Sequence, residues 1–461
     1  MGLLLATVAA LAIGAPFVQQ SGTQLTLSGK PFRFGGANIE WLGLSGYGPS
    51  DPQGPRYPTV HEVGDALDTA LELGATVVRS QTLADSVGCP LCLEPAPGTF
   101  NKTAFRHADY VVAAARARGI RLIPTLVGDD ARDGGGGCVY LAWNQVDVTG
   151  CSLSNMAPFY TDDGVIAAVE QHIAAVLNHV NLYTHVAYKD DPTILGWDLL
   201  NGGNTPNDWT QTIANYVRSL DSRHLILSGA SNALLPNVDV CVSFLYPHWA
   251  LGPSVVAPQI EACRRAHKPF VVYEYGWDRT NFATLSSFRA FLGSLERNPE
   301  VAGDAFWALE AHADNHGWRP IPADVSDPEA AARVESGEWW AIYYPGRRTL
   351  VTTATDMAAR AQAIRRHDYA MAGLRPPPHA IPPAPAITSL DNRRLLWRGS
   401  AGAASYSIEH ASTVRGPWRA VCHRCATDDS NGYPVETGWY RVVPYNTDGR
   451  PGPASAPRRV P

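Results

Sequence analysis

The sequence predicts an α/β fold: a (β/α)8 TIM barrel followed by a C-terminal all-β sandwich domain. Three observations carry this prediction. Eight short apolar runs punctuate residues 16–375, amphipathic stretches fill the gaps, and a proline-rich break at 376–387 precedes short alternating runs. Alternating β and α patterning implies a parallel sheet, and eight repeats imply a closed one. A chain of 461 residues is also longer than one core normally serves.

The first strand falls near FRFGGAN (32–38), and TVVRS (76–80) and RLIPTLVG (121–128) follow it. ILGWDLLN (194–201), LILSG (225–229) and VCVSFLYP (240–247) continue the series, which FVVYEYG (270–276) and DAFWALE (304–310) complete. VGDALDTALELG (63–74) and KTAFRHADYVVAAARARG (102–119) carry helical periodicity. Long loops are expected at 88–100 and around the glycine run 134–137. That run lacks a following Lys-Ser/Thr, so it is not read as a phosphate loop.

Residues 376–387 read as a semi-rigid linker. Beyond it, 388–461 has the patterning of a small sandwich. The tail YRVVPYNTDGRPGPAS resembles the closing strands of a fibronectin type III module, with Trp397 as the expected core tryptophan.

Residues 1–15 form a short apolar run that resembles a secretory signal segment. The run is too short for a comfortable membrane span. The eight cysteines fall into local pairs: Cys89/Cys92, Cys138/Cys151, Cys241/Cys263 and Cys422/Cys425. An even count behind such a segment suggests disulfides in an exported protein. Free buried thiols and a metal site are the alternatives. Net charge is −6, which argues against nucleic acid as the main partner, because phosphate binding needs a concentrated basic surface.

Catalytic residues of such barrels sit at the C-terminal ends of the strands. Here those ends carry Arg79, Asn201-Gly202-Gly203, Tyr246-Pro247-His248-Trp249, Glu274-Tyr275-Gly276, and Trp307 with Glu310. Glu274 closes an apolar run, which points to a functional carboxylate.

At these residues the chain resembles glycoside hydrolase family 5, and within it the endo-β-1,4-mannanases. The resemblance runs in order through FGGANIEWLG, VVRS, GGGGCVYLAW, FYTDD, YKDDPTILGWDLLN, SLDSRHLILSG, FLYPHW, KPFVVYEYG and the FW at 306–307. It implies hydrolysis of β-glycosidic bonds with retention, by a nucleophile on strand 7 and an acid/base on strand 4. The two carboxyls of such a pair stand about 5–5.5 Å apart. Glu274 matches the nucleophile. Arg79 matches the arginine that holds it ionised, because a nearby guanidinium lowers a carboxylate's pKa. Asn201 matches the asparagine that bonds the sugar's 2-hydroxyl, and Tyr246 the strand-6 tyrosine. Trp307 matches the platform under the reacting sugar, and Trp41 and Trp143 match aromatic positions lining the cleft.

The chain departs from the family at strand 4, where the motif Asn-Glu-Pro is replaced by Asn201-Gly202-Gly203. The acid/base carboxyl is therefore missing, and general acid help is worth about 10²–10⁴-fold. A second departure is Phe244, at a position where mannanases usually carry His. Asp198 lies four residues before Gly202, roughly 13 Å deeper, too far to protonate a glycosidic oxygen. Candidate surrogate acids are Glu310, His248, His312 and Asp314. His312 and His316 also have half a metal site's spacing, but no third ligand is evident, so neither a metal nor any cofactor is expected.

The expectation is a secreted retaining β-glycoside hydrolase of mannanase type. Its expected partner is a β-linked polysaccharide or oligosaccharide. It is read as a monomer that binds no nucleic acid and does not span a membrane. The alternative is a catalytically impaired homologue acting as a carbohydrate-binding protein.

Overall fold

A computed structural model describes residues 16–46, 54–128, 135–149, 151, 156–202, 205–247, 253–319, 341–348, 352–428 and 431–461. The signal-like residues 1–15 and the candidate His248 lie outside the described residues.

The chain opens with a small antiparallel sheet of three strands, β1 Val18–Ser21, β2 Gln24–Leu27 and β3 Lys30–Phe32. Eight parallel strands follow. They are β4 Phe34–Asn38, β5 Val77–Ser80, β6 Arg121–Pro124, β7 Gly196–Asp198, β8 Leu225–Gly229, β9 Val240–Leu245, β10 Phe270–Gly276 and β11 Val301–Trp307. They pair in the order β6-β5-β4-β11-β10-β9-β8-β7. Bridges Leu122–Ile194 and Thr125–Asp198 join β6 to β7 and close the ring. The last strand runs 301–307 rather than 304–310: Leu309 still donates to the Asn38 carbonyl of β4, but Leu309 and Glu310 pair with Ile342 outside the named strands. Val18 and Leu25 pack against Val77, Leu225, Val240 and Val271, so the first sheet plugs one end of the barrel.

The strands are apolar on both faces because helices cover their outer side. The helices are α1 Val60–Leu73, α2 Lys102–Arg118, α3 Gly136–Trp143, α4 Asp163–Asn178, α5 Asn207–Leu220, α6 Pro253–Arg265, α7 Leu285–Arg297 and α8 Ala354–Met371. Thr59 and Glu62 form a capping box on α1, and Asn101 caps α2 by accepting from Thr103 and Ala104. Gly35 lets α8 approach β4: a Cβ there would fall 2.3 Å from Asp368 Oδ1. Buried Arg360 of α8 donates to the carbonyls of Trp277 and Phe282, fixing the segment after β10.

Seven further strands follow: β12 Ala386–Asp391, β13 Arg394–Arg398, β14 Ser405–Ala411, β15 Arg419–Ala426, β16 Tyr433–Pro434, β17 Gly438–Tyr445 and β18 Arg458–Val460. They form antiparallel sheets β12-β13-β16 and β15-β14-β17-β18, which share an apolar cluster including Leu395, Trp397, Tyr406, Ile408, Tyr440 and Val442. The proline-rich segment is not a free spacer. His379 Nδ1 meets Glu72 of α1 at 2.7 Å, and Asn446 Nδ2 donates to the carbonyls of His379 and Ala380.

Three of the four cysteine pairs are joined: Cys89–Cys92, Cys138–Cys151 and Cys422–Cys425. The fourth is a correction to the disulfide expectation. Cys241 of β9 and Cys263 of α6 are free, buried thiols. Among the described residues, no helix is long and apolar enough to cross a membrane.

Candidate active site

Period-two alternation normally sends neighbouring side chains of a strand to opposite faces. On β10 that rule breaks. The register with β9 shifts between Val272 and Glu274. Tyr273 and Glu274 therefore both face the barrel axis, while Val272 and Tyr275 join the outer core. A bulge of this kind re-aims a side chain.

What Glu274 meets is Arg79, at the C-terminal end of β5. Arg79 Nη1 donates to Glu274 Oε1 at 2.6 Å, and Tyr246 Oη donates to Glu274 Oε2 at 2.9 Å. The other edge of the guanidinium is equally committed. Nε and Nη2 reach Asp198 Oδ2 at 3.1 and 2.8 Å, Nη2 reaches Asn201 Oδ1 at 2.6 Å, and Nη1 reaches Asn38 Oδ1 at 3.1 Å. Thr125 Oγ1 also donates to Asp198 at 2.8 Å. Below, the guanidinium carbon lies 4.4 Å from the centre of the Tyr273 ring and 5.9 Å from that of Phe244.

Arg79 is fully buried, Asn201 and Glu274 nearly so. Burial alone would lower the Arg79 pKa, but Asp198 and then Glu274 outweigh it, so the guanidinium stays charged. Burial raises the Asp198 pKa and the Arg79 charge opposes the rise. Burial, and then the Glu274 charge, push the Tyr246 phenol well above its ordinary range, so it remains a donor. The result is a carboxylate in a dry floor, with a cation and a hydroxyl bonded to its two oxygens.

The strand-4 position behaves differently. Gly202 follows Asn201 in a turn with φ +98°, a conformation that favours glycine. It presents no side chain to the site.

The tryptophans fall in three settings. Trp307 ends β11 half-buried. Trp41 is only 4% exposed and lies under Arg319, whose guanidinium carbon is 3.7 Å from the ring centre. Trp143 lines a hollow with Gly88, Val139, Ala142, Val148 and the Cys138–Cys151 pair.

The described surrogate candidates lie on the β11 side of the barrel. Glu310 is 3% exposed, with Arg319 Nε 3.5 Å away and Glu62 on the far side of that guanidinium at 3.0 Å. Burial raises Glu310 to about 7. His312 is fully enclosed: Nδ1 lies 2.9 Å from Asp65, Nε2 makes an ion contact of 3.1 Å with Asp428, and Trp318 stacks on the ring at 3.9 Å. Asp314 binds Arg398 at 2.5 Å. These groups tie the segment after β11 to α1 and to the C-terminal sheets.

Among the described residues, one other cluster has metal-ligand chemistry: buried Asp304, His367 and Asp368, on β11 and α8. His367 Nε2 lies 2.9 Å from Asp304, and Nδ1 lies 3.0 Å from Glu296. Burial alone would lower its pKa, but Asp304 overrides this and raises it to about 10. Both ring nitrogens are thus committed to carboxylates, Nε2 to Asp304 and Nδ1 to Glu296. The cluster reads as a buried ion pair.

The sequence placed Arg79, Asn201, Tyr246 and Glu274 together, and they are together. It missed Asn38, Tyr273 and Asp198 as the groups that fix Arg79, and Thr125 as the donor behind Asp198. The buried Asp inside the apolar run GWDLL was the one available signal.

Comparison with known proteins follows the same lines. Residues 15–240 match a family model described as GH family 5 beta-mannosidase-like. Mannan endo-1,4-beta-mannosidase 5 of Solanum lycopersicum is 34% identical over 349 residues, 64% of this chain and 81% of that protein. Mannan endo-1,4-beta-mannosidase 1 of the same plant is 30% identical, covering 64% of this chain and 84% of its own length. The fold is that of an endo-1,4-beta-mannanase from Rhizomucor miehei (TM-score 0.56, 24% identity, 77% of this chain and 99% of that one). It is also that of an endo-beta-1,4-mannanase from Thermotoga petrophila (TM-score 0.58, 18% identity, 93% and 98%).

Proposed function

We propose a function from one premise: the chain belongs to glycoside hydrolase family 5, among its mannanase-like glycosidases. On this reading it is a secreted, retaining hydrolase of β-mannan or a related β-linked glycan, with Glu274 as nucleophile and an atypical acid/base. The observation that carries the reading is the Glu274 carboxylate bridged between Arg79 and Tyr246. A nucleophile needs fixed aim more than flexibility, and two donors on its two oxygens supply that.

Glu274 attacks the anomeric carbon to form a glycosyl ester as the C1–O bond to the aglycone breaks, its electron pair leaving with the aglycone oxygen. Arg79, held in plane by Asp198, Asn38 and Asn201, balances the charge that returns to the carboxylate when the ester breaks. The Asn201 amide serves the sugar's 2-hydroxyl, and Trp307 offers a stacking face beneath the ring. Trp143 offers a further aromatic face beside its hollow, whereas Trp41, enclosed beneath Arg319, does not. The three disulfides support an oxidising, extracellular setting. The two C-terminal sheets over one apolar cluster support a fibronectin type III-like sandwich.

A second reading, a carbohydrate-binding protein, is favoured by the turn at Gly202. Incubation with 2,4-dinitrophenyl 2-deoxy-2-fluoro-β-mannoside separates the two. Hydrolase chemistry predicts a fluoroglycosyl mass increment on the Glu274 peptide. Affinity for mannohexaose by calorimetry with no such adduct overturns the hydrolase reading in favour of binding.

A further inference from the structure

We infer that this site acts on β-glycosides whose leaving group departs unprotonated, an acidic aglycone joined through a carboxylate, phenolate or comparable anion, rather than on an ordinary sugar–sugar link. The inference rests on the nucleophile reading above and narrows its substrate.

The two halves of the retaining apparatus are unequal here. The nucleophile half is complete: Glu274, Arg79, Tyr246 and Asn201 form one bonded set, with Asp198 and Asn38 behind it. Among the described residues, the acid half lacks the family's carboxyl, and more than a side chain has changed there. The residue that would bear the acid is Gly202 at φ +98°, so the backbone has taken a path that a β-carbon disfavours.

The described alternatives do not face that wall. Glu310 is nearly buried beside Arg319, on the β11 side, and β11 is next to the nucleophile strand in the ring. The missing acid belongs to β7, three strands from β10. His312 and Asp314 are committed to Asp65, Asp428 and Arg398.

A sugar alkoxide is a poor leaving group and needs the proton. A carboxylate or acidic phenolate does not, so for it the loss of the acid costs little. In the first step a Glu274 oxygen bonds to C1. The C1–O bond to the aglycone breaks, its electron pair leaves with the oxygen, and the aglycone departs as an anion. In the second step a water oxygen bonds to C1, the ester bond breaks and its pair returns to Glu274. The water proton passes to solvent. With no base at Gly202 this second step is slow, so the glycosyl-enzyme accumulates. Azide, which has no proton to lose, replaces water and yields a β-glycosyl azide with configuration retained.

The experiment uses the full chain, 2,4-dinitrophenyl β-mannobioside, mannohexaose and sodium azide. Expected is a burst of about one equivalent of dinitrophenolate, a Glu274-linked intermediate by mass, and roughly tenfold or greater acceleration of turnover by azide. Cleavage of mannohexaose is expected to be at least about 1,000-fold slower, the scale of lost general acid catalysis. Mannohexaose turnover within tenfold of the aryl substrate overturns the inference and leaves the hydrolase reading standing. Dinitrophenolate release that survives Glu274→Gln, or no release at all, overturns both.

Discussion

Arg79 Nη1 lies 2.6 Å from Glu274 Oε1, while the far edge of the same guanidinium holds Asp198 Oδ2 at 2.8 Å. One buried cation thus stands between two buried carboxylates. Glu274 owes its position to a residue on β5 that is itself positioned from β7.

Arg79→Met leaves both carboxylates without their shared cation. Breaking a buried pair this way costs about 3–5 kcal/mol, so the melting temperature of the barrel falls by on the order of 10 °C. Adding Asp198→Asn recovers part of the loss, because one unpaired charge is then gone. Calorimetric melting of both variants checks this. A double variant less stable than Arg79→Met alone contradicts it.

Tyr246→Phe removes one hydroxyl and leaves the ring in place. A hydrogen bond to a charged group is worth about 1.5–3 kcal/mol. If Tyr246 steadies Glu274 for attack, kcat/KM on 2,4-dinitrophenyl β-mannobioside drops by roughly 10- to 150-fold. Circular dichroism should show the fold intact. Unchanged kinetics remove Tyr246 from the mechanism.

Alkali should loosen the molecule through its enclosed imidazoles. Burial alone would lower His312, but Asp65 and Asp428 raise it from 6.5 to about 10, and Asp304 does the same for His367. A raised folded-state pKa adds stability that is full below pH 6.5 and lost on the way to pH 10. Each group contributes a fall of up to about 1.4 kcal/mol per pH unit in that window. Urea unfolding across pH 6–10 measures the slope. His312→Gln should flatten it, and a variant with the wild-type slope shows that His312 is not the source.

Thiol titration distinguishes the fourth cysteine pair from the other three. Cys241 and Cys263 are buried and reduced. Native protein should react slowly with a thiol reagent, and protein unfolded without reductant should release two equivalents. No reactive thiol after unfolding identifies a fourth disulfide.

The barrel was legible because each strand is an apolar run and each helix a periodic one, properties written locally. Glu274 was legible because strand ends are where such folds keep their chemistry, and Arg79, Asn201 and Tyr246 because the family resemblance falls on them. The first sheet was not, since Val18 and Leu25 find their partners only when the ring has closed around Val77 and Val240. The Arg79–Asp198 pair spans 119 residues, and no local pattern encodes it. The prolines of 376–387 suggested a spacer, yet Glu72 and Asn446 fasten the segment at His379 and Ala380. Spacing alone could not tell Cys241 and Cys263, two buried free thiols, from a disulfide.

Gly202 is where the sequence invites a simple repair that the backbone resists. Gly202→Glu restores the residue type of the family motif, but at φ +98° its β-carbon meets strain of roughly 1–2 kcal/mol. Gly202→Ala should therefore destabilise by a similar amount, while Gly202→Asn, a residue more tolerant of this region, costs less. Gly202→Glu alone should raise mannohexaose cleavage by less than tenfold, far short of the ~10²–10⁴ that a placed acid supplies. Unfolding curves for the three variants, with product analysis for the glutamate, test both halves. A gain of a hundredfold or more means that the turn relaxes and the old acid position is recoverable.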